Sequence, residues 1–385
     1  QCMLLAVKEF YRETLKELNE DGSSYENSVS YHRLVTELFL YTYLILVRQG
    51  YTVPENVIKR IKRSTDYIGN YTKKSGLAPL IGDNDNGQLL PLVPHDYLNH
   101  SYLFKLGKLI FGNYKSDTIT EAQFLNIIST NLNDTFERHV VFDTGLAIVD
   151  KGSARLYVNN GYFSFDKGKK IGELSGTHTH CDNLSFELCL GSDDIFVDPG
   201  CYVYTSDPYM RNLFRSAESH NTVTVDEKNL GDYSDASVFL LKQVLYNLSL
   251  SHNYTNTEEI VEGCFNFNNG QLSYTHNRIF ELSDSTLKIT DSIKAKGSHS
   301  ANLYLIIHPN IRIEASPVGL ILSSDTYRIT LQVADSDGYL KKPTIERWYY
   351  SPSYGNLKKN NRLKYDLPFS ETVKINTIIK WEKLK

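Results

Sequence analysis

Along the first third of the chain, apolar residues return every three or four positions. Leu34, Leu38, Tyr41, Leu44 and Ile45 form one such stripe behind a polar turn, Asn27 and Ser28, and predict an amphipathic helix. Pro54 suits the first turn of a second helix, in which Val57, Ile61 and Ile68 share a side. Tyr102, Leu103, Leu106, Leu109 and Ile110 mark a third helix, and Phe124, Ile127 and Ile128 a fourth. After about residue 139 the period changes to two. Leu146 and Ile148, Leu156 and Val158, Leu287 and Ile289, Leu303, Leu305 and Ile307, Ile329, Leu331 and Val333, and Val373 and Ile375 alternate with other residues between Gly, Asn, Asp and Ser turns. Short alternating runs of this kind predict packed antiparallel sheets. The expected organisation is an all-helical array over 1–135 and a β domain over 136–385, joined near Asn133 to Asp143.

A chain of 385 residues is long enough for two cores, and 41% apolar with 22% charged residues describes a folded protein. No run of about 18 apolar residues predicts a membrane span. The net charge of -4 argues against broad nucleic-acid binding while leaving room for a local basic cleft that holds an anion. Five cysteines, Cys2, Cys181, Cys189, Cys201 and Cys264, form no Cys-x-x-Cys pair and predict no disulfide framework. The chain begins at Gln1 without a signal-peptide pattern, so a periplasmic or secreted location is expected if a leader has been removed, and a cytoplasmic one otherwise.

The densest chemistry lies in Gly176-Thr177-His178-Thr179-His180-Cys181-Asp182-Asn183, followed by Val197-Asp198-Pro199-Gly200 and Ser219-His220-Asn221-Thr222. If 178–190 ran as a strand, His178, His180 and Asp182 would share a face with Leu184, Phe186, Leu188 and Leu190. Imidazoles and a carboxylate buried beside Leu and Phe need mutual hydrogen bonds or a cation, and mixed His/Asp donors suit zinc. A lone His-x-His pair is more often structural, but Asp198 ahead of a Pro-Gly turn and His220 ahead of Asn-Thr strengthen the metal reading. Cys181 and Cys201 flank these residues as further possible ligands or as small buried hydrophobes. Asp83 and Asp85 sit in a Gly-bounded Asn/Asp run that lacks the ligand spacing of a calcium loop and is expected to line a cleft. Glu187 falls on the strand face opposite His180, as a solvated or cross-strand-paired carboxylate.

Gly176 to Glu187, Val197 to Gly200, and Arg211-Asn212-Leu213-Phe214-Arg215-Ser216 through His220-Asn221-Thr222-Val223 resemble the signature of the heparinase II/III-like polysaccharide lyases. Asp21-Gly22-Ser23-Ser24-Tyr25-Glu26-Asn27-Ser28, Tyr31-His32-Arg33-Leu34 and Pro79-Leu80-Ile81-Gly82-Asp83-Asn84-Asp85-Asn86-Gly87 resemble the same family's toroid segments, so the similarity spans roughly 15–230. The resemblance implies an α+β multidomain fold: an incomplete (α/α) toroid followed by an antiparallel β-sandwich, with the active site in the cleft between them. It further implies that Tyr31 is the catalytic tyrosine, His178 the active-site histidine, and His180, Asp198 and His220 the ligands of a structural Zn2+. The family's group for quenching the substrate carboxylate lies farther upstream of the tyrosine than the thirty residues that precede Tyr31 here.

The implied substrate is an acidic, uronic-acid-containing polysaccharide, cleaved by β-elimination. Such a lyase quenches the carboxylate charge, removes the proton alpha to it, and protonates the departing 4-linked oxygen. Tyr31 and His178 suit the proton transfers. Arg33, Arg211 and Arg215 suit the uronate, because guanidinium grips carboxylate with two bonds, and His32 could orient Tyr31. The plainer roles are helix packing for Tyr31 and ion pairs to Asp207 or Glu218 for Arg211 and Arg215. Two other readings stand beside the lyase: a toroid glycoside hydrolase using carboxylates from Asp83, Asp85 and Glu26, or a non-catalytic protein of glycan binding or surface-polysaccharide assembly.

Overall fold

The computed structural model describes residues 2–90, 96–112, 139–162, 175–176, 178–233 and 237–384. The helix expected at Phe124, Ile127 and Ile128, and part of the Asn133 to Asp143 junction, lie outside the described residues. Among those described, helices come first: α1 (Cys2–Glu17), α2 (Val29–Arg48), α3 (Glu55–Tyr71) and α4 (Ser101–Phe111). α2 starts where its cap demands. The Ser28 side chain accepts from the Tyr31 backbone N–H at 3.2 Å, satisfying one of the helix's orphan donors and setting Tyr31 in the first turn. Pro54 sits at the N-cap of α3 rather than inside its first turn.

From Leu146 onward the described chain is mainly β-structure. Strands form a 14-stranded sheet and a separate 3-stranded one, and every strand ladder is antiparallel. Two long strands, Thr286–Ile307 and Asn356–Lys383, pair from Thr286↔Lys380 to Ile307↔Asn361 across a register shift between Lys294 and Ser298. The period of two explains how the layers stack. In the strand Leu146–Lys151, Ala147 and Val149 join the sheet core while Leu146 and Ile148 join the helical core. In Ser185–Leu190, Phe186 and Leu188 take the sheet side and Cys189 the helix side. Burial of both faces makes these strands the floor on which the helices rest.

Glu187 shares the helix-facing side and is neither solvated nor paired across the sheet. It is buried and meets Lys73 Nζ at 2.9 Å, with Asp194 on the same ammonium at 3.0 Å. Burial alone would lower the Lys73 amine, but the two carboxylates hold it well above its usual value. The other Glu187 oxygen accepts from the Leu80 N–H at 3.3 Å. A second set of bonds stitches the turn after Leu80 to both halves: Val29 N–H to the Ile81 carbonyl at 3.1 Å, Ser28 Oγ to the Asp83 carbonyl at 2.6 Å, and Asp83 N–H to the His178 carbonyl at 2.9 Å. Gly82 lies in the middle with φ +77°, and a Cβ there would come within 2.9 Å of Asn27 O, His178 O and Ser28 Cα. Only glycine fits that crossing.

The strand expected over 178–190 starts at Ser185. Leu184 takes a left-handed backbone (φ +57°), which breaks the alternation. His178, His180 and Asp182 therefore belong to an irregular approach segment, and the face they share is not that of a strand. No helix among the described residues is long and apolar enough to cross a membrane.

Candidate metal centre and catalytic cleft

Three loops converge behind the helical layer. His180 comes from the approach to Ser185–Leu190, Asp198 from the end of the strand Asp193–Phe196, and His220 from the turn after a 3-10 segment, Ala217–Ser219. Asn221 locks the three together. Its amide donates to the Phe186 carbonyl at 2.6 Å and the Val197 carbonyl at 3.0 Å, and its oxygen accepts the Ile306 N–H at 2.6 Å.

Each of the three side chains is buried, and one ligand atom from each lies within 4.8 Å of the others. His180 Nδ1 faces His220 Nε2 at 3.2 Å, and His220 Nε2 lies 3.4 Å from Asp198 Oδ2. A tetrahedral site with bonds of about 2.0–2.1 Å has ligand-to-ligand edges of about 3.3–3.4 Å, so two measured edges match that geometry. Proton bookkeeping points the same way. His180 Nε2 lies 3.0 Å from Asp83 Oδ1 and His220 Nδ1 lies 2.8 Å from the Ser216 carbonyl, two partners that only accept. Each imidazole then carries its proton on the outer nitrogen, and both inner nitrogens turn lone pairs toward one point. The arrangement of metal-bound histidines, with the outer N–H on a carboxylate or carbonyl, is the same.

Charges agree with a cation at that point. Burial and neighbouring His180 push His220 down to about 3, so it stays neutral. Burial, with the Asp182 and Glu187 carboxylates, pushes Asp198 well above the usual carboxylate range. Its other oxygen is used by the Gly200 N–H at 2.8 Å. The residues present thus fit a divalent ion bound by two imidazoles and a carboxylate. Cys181 and Cys201 are buried free thiols outside this group, as is the Asp182 carboxyl.

On the helix-facing side lies Tyr31, whose ring stacks on that of His178 with centroids 3.6 Å apart and planes 18° from parallel. The Tyr31 hydroxyl donates to Asp85 Oδ2 at 3.1 Å and lies 3.4 Å from the Tyr204 hydroxyl. Burial, with Asp85 and Asp83 adding, raises its pKa well above that of a free phenol. His178 is 16% exposed and stands between Asp83, 3.2 Å from its Nδ1, and Glu26, 3.5 Å from its Nε2.

Asp83 binds these parts together. It is fully buried and receives a two-armed grip from Arg211, whose Nη2 donates at 2.7 Å and whose Nη1 bonds the other oxygen, besides the two imidazoles. Burial alone would raise its carboxyl, but the guanidinium and the imidazoles hold it well below the usual range. Its four N–H donors leave it no oxygen for calcium or for a hydrolytic role.

The other expected site residues are engaged within the protein. Arg211 is committed to Asp83, and its presumed partner Asp207 instead caps the short helix Pro208–Phe214 by accepting from the Met210 N–H at 3.0 Å. Arg215 is buried, bonded to Asn212 and laid over the Tyr233 ring at 4.8 Å, while Glu218 is held by Arg362. Arg33 is buried against Glu37 at 3.0 Å and the Gly87 carbonyl. All three guanidinium groups are buried and bonded within the protein, with Arg33 Nε and Arg215 Nη1 left without a partner there. His32 turns inward to the Ser64 carbonyl at 3.0 Å and to Thr36, because consecutive helical residues point in different directions, so it does not orient Tyr31. Tyr204 and Phe239 are site neighbours that no local pattern announces. Phe239 closes edge-on against Tyr204 with ring centroids at 5.2 Å.

Comparison with known proteins follows the same lines. A heparin-sulfate lyase of Bacteroides stercoris is 23% identical over 187 residues, 42% of this chain and 27% of that protein. Among solved structures, a heparinase III superposes with TM-score 0.73 at 16% identity over 98% of this chain and 55% of its own. Heparan sulfate lyase HepC from Pedobacter heparinus does so with TM-score 0.73 at 14% identity, again over 98% and 55%. The chain thus spans about half the length of those structures. A family model described as heparinase II/III-like, C-terminal matches residues 136–382, and the chain belongs to the heparinase II/III-like family.

Proposed function

We infer that this protein cleaves an acidic polysaccharide by β-elimination, with Tyr31 and His178 as the proton-transfer pair and a zinc ion held structurally by His180, Asp198 and His220. The observation that carries the reading is the Tyr31–His178 stack, which sets a phenol and an imidazole side by side at the junction of helices and sheet. Helices over 1–135 are read as part of an (α/α) toroid and 136–385 as the sandwich that meets it. The relatives named for heparin or heparan sulfate make a glycosaminoglycan the first substrate to test.

The roles divide by proton. His178 donates from Nδ1 to Asp83, so its Nε2 lone pair is the base that takes the proton alpha to the uronate carboxylate. Glu26 lies 3.5 Å from that Nε2. Tyr31 keeps its proton in the resting protein because burial raises its pKa, which makes it the acid for the leaving oxygen. As the carbon–hydrogen bond breaks, its electron pair forms the ring double bond, the carbon–oxygen bond at the 4-position breaks, and the phenol proton goes to the departing oxygen. Arg33, Arg211 and Arg215 are buried and bonded to Glu37, Asp83 and Asn212, which argues against any of them as the group that quenches the carboxylate. Zinc, when bound, supplies a positive charge that orders the three loops, and it stands outside the proton transfers.

The test is a product assay on heparin, heparan sulfate and other uronic glycans. A lyase leaves an unsaturated uronide that absorbs in the ultraviolet. New reducing ends without that chromophore would instead establish a hydrolase, and binding without any product a glycan-binding or assembly protein.

A further inference from the structure

A hollow of about 270 Å³ is lined by the short helix Pro208–Phe214 and by the strands Val223–Val225 and Thr286–Ile307, and it shares no lining residue with the Tyr31–His178 cleft or with the His180–Asp198–His220 cluster. Its deepest lining residues are Tyr304 and Thr224, each 2% exposed, on two strands paired at Asn302↔Thr224. The Thr224 hydroxyl is buried there without a hydrogen-bond partner. A native fold rarely leaves a buried hydroxyl in that state unless something else bonds it. At the outer edge stands Tyr209, 73% exposed, which presents an aromatic ring to whatever enters. Beside it on the helix, Asn212 spends its side-chain oxygen on Arg215 Nε and Nη2, while its amide nitrogen makes no bond within the protein.

Two carboxylates line the same hollow, and each already has its cation. Glu218 Oε2 lies 3.0 Å from Arg362 Nη1, and Glu227 Oε1 meets Lys364 Nζ. One oxygen of each is thereby committed, and the second remains able to accept from a ligand. This pairing decides the charge of the guest. An ammonium group gains little from carboxylates that are neutralised by Arg362 and Lys364, and an anion meets two carboxylates first. What remains is an uncharged molecule rich in hydroxyl donors, with an apolar face for the tyrosine.

We propose that this hollow is a binding site for one uncharged sugar ring. The C–H face of the sugar lies on Tyr209, its hydroxyls donate to the free oxygens of Glu218 and Glu227, and its oxygens accept from Asn212 Nδ2 and from the Thr224 hydroxyl. The volume sets the number of rings. It falls just below the range of about 300–1,000 Å³ that holds drug-sized ligands, which suits a single ring. The site goes beyond the elimination reading, because it stands whether the protein cleaves a glycan or only holds one.

Saturation-transfer NMR tests it with methyl glucoside, methyl galactoside and N-acetylglucosamine as uncharged probes, and with glucuronate and glucosamine as anionic and cationic counterparts. At least one uncharged sugar is expected to bind saturably, and both charged ones more weakly than it. Tyr209→Ala removes only an exposed ring and should weaken that sugar by about threefold to tenfold, with the melting temperature unchanged. Thr224→Val keeps the buried shape, deletes the hydroxyl, and should weaken it by a similar factor. The proposal is overturned if no uncharged sugar binds, if glucuronate or glucosamine binds as tightly, or if Tyr209→Ala binds like the wild type. Should Thr224→Val fail to fold, Tyr209→Ala and the probe series decide alone. Sugar binding of the expected pattern without any unsaturated product from uronic glycans leaves this site standing and sinks the lyase reading instead.

Discussion

The rings of Tyr31 and His178 lie 3.6 Å apart and 18° from parallel, although one belongs to the first turn of a helix and the other to a loop ahead of a sheet strand. The Tyr31 hydroxyl extends beyond the stack to Asp85 and Tyr204. Tyr31→Phe keeps the stack and deletes the hydroxyl, so elimination should fall by about 10²–10⁴, the usual range for a lost acid or base. Stability should drop by only about 1 kcal/mol. Ultraviolet product assays with a parallel thermal melt check both halves, and full activity in the variant would remove Tyr31 from the chemistry.

His178 and His180 are two positions apart yet should fail differently. His178→Ala should abolish elimination and keep zinc, since it takes no part in the ligand set. His180→Ala should lose zinc as well as its stabilising contribution, which reaches about 4 kcal/mol when free zinc stands at a thousand times the dissociation constant. Elemental analysis and chelator-dependent melting separate the two. Zinc retained in full by His180→Ala would rule out the proposed ligand set.

Lys73 is the buried cation between Glu187 and Asp194. Lys73→Met fills the space but strands Glu187, 3% exposed, without a counter-charge. Breaking a buried pair from one side costs about 3–5 kcal/mol, and Asp194, more exposed, accounts for less of it. Urea unfolding of the variant measures the loss, and a change below about 1 kcal/mol would show that water reaches the seam.

His32 gives a pH signature. Burial pushes its pKa down to about 4 from the ordinary 6.5, so on acidification the unfolded chain takes up a proton first. The stability of the neutral buried ring is full above pH 6.5 and is lost as pH falls through 6.5 toward 4. His32→Gln keeps a donor for the Ser64 carbonyl without a titrating group. Between pH 7 and 4 the wild type should lose more stability than this variant, by an amount on the order of 3 kcal/mol. Parallel pH dependences would show that His32 is protonated in the fold.

The change of period from four to two near residue 139 was readable because helix and strand stripes are local patterns. Short motifs marked the members of the metal-type trio, but the family resemblance, not those motifs, separated His180, Asp198 and His220 from His178 and Asp182. The place of Asp83 was not readable. Its partners stand 95, 97 and 128 positions away, and an Asn/Asp run reads as a turn lining a cleft without showing that one carboxylate is buried among them. The arginines misled in the opposite sense. A sequence displays a guanidinium charge but not the carboxylate that has already claimed it, so Arg211 looked available to substrate. Leu184 misled through its backbone, since nothing about leucine announces a left-handed conformation.

The crossing at Gly82 has a consequence for how the molecule could be divided. The turn around it brings Asp83 from the helical segment into bonds with two histidines of the β-rich segment, while Lys73 lends its charge to Glu187 and Asp194 on that same floor. Cutting the chain between helices and sheet would leave the sheet half with buried acids that lack their cation and imidazoles that lack their acceptor. The two portions differ in architecture yet share one set of counter-ions, so neither can be exchanged for a foreign module unless the replacement brings its own lysine and aspartate to the same places.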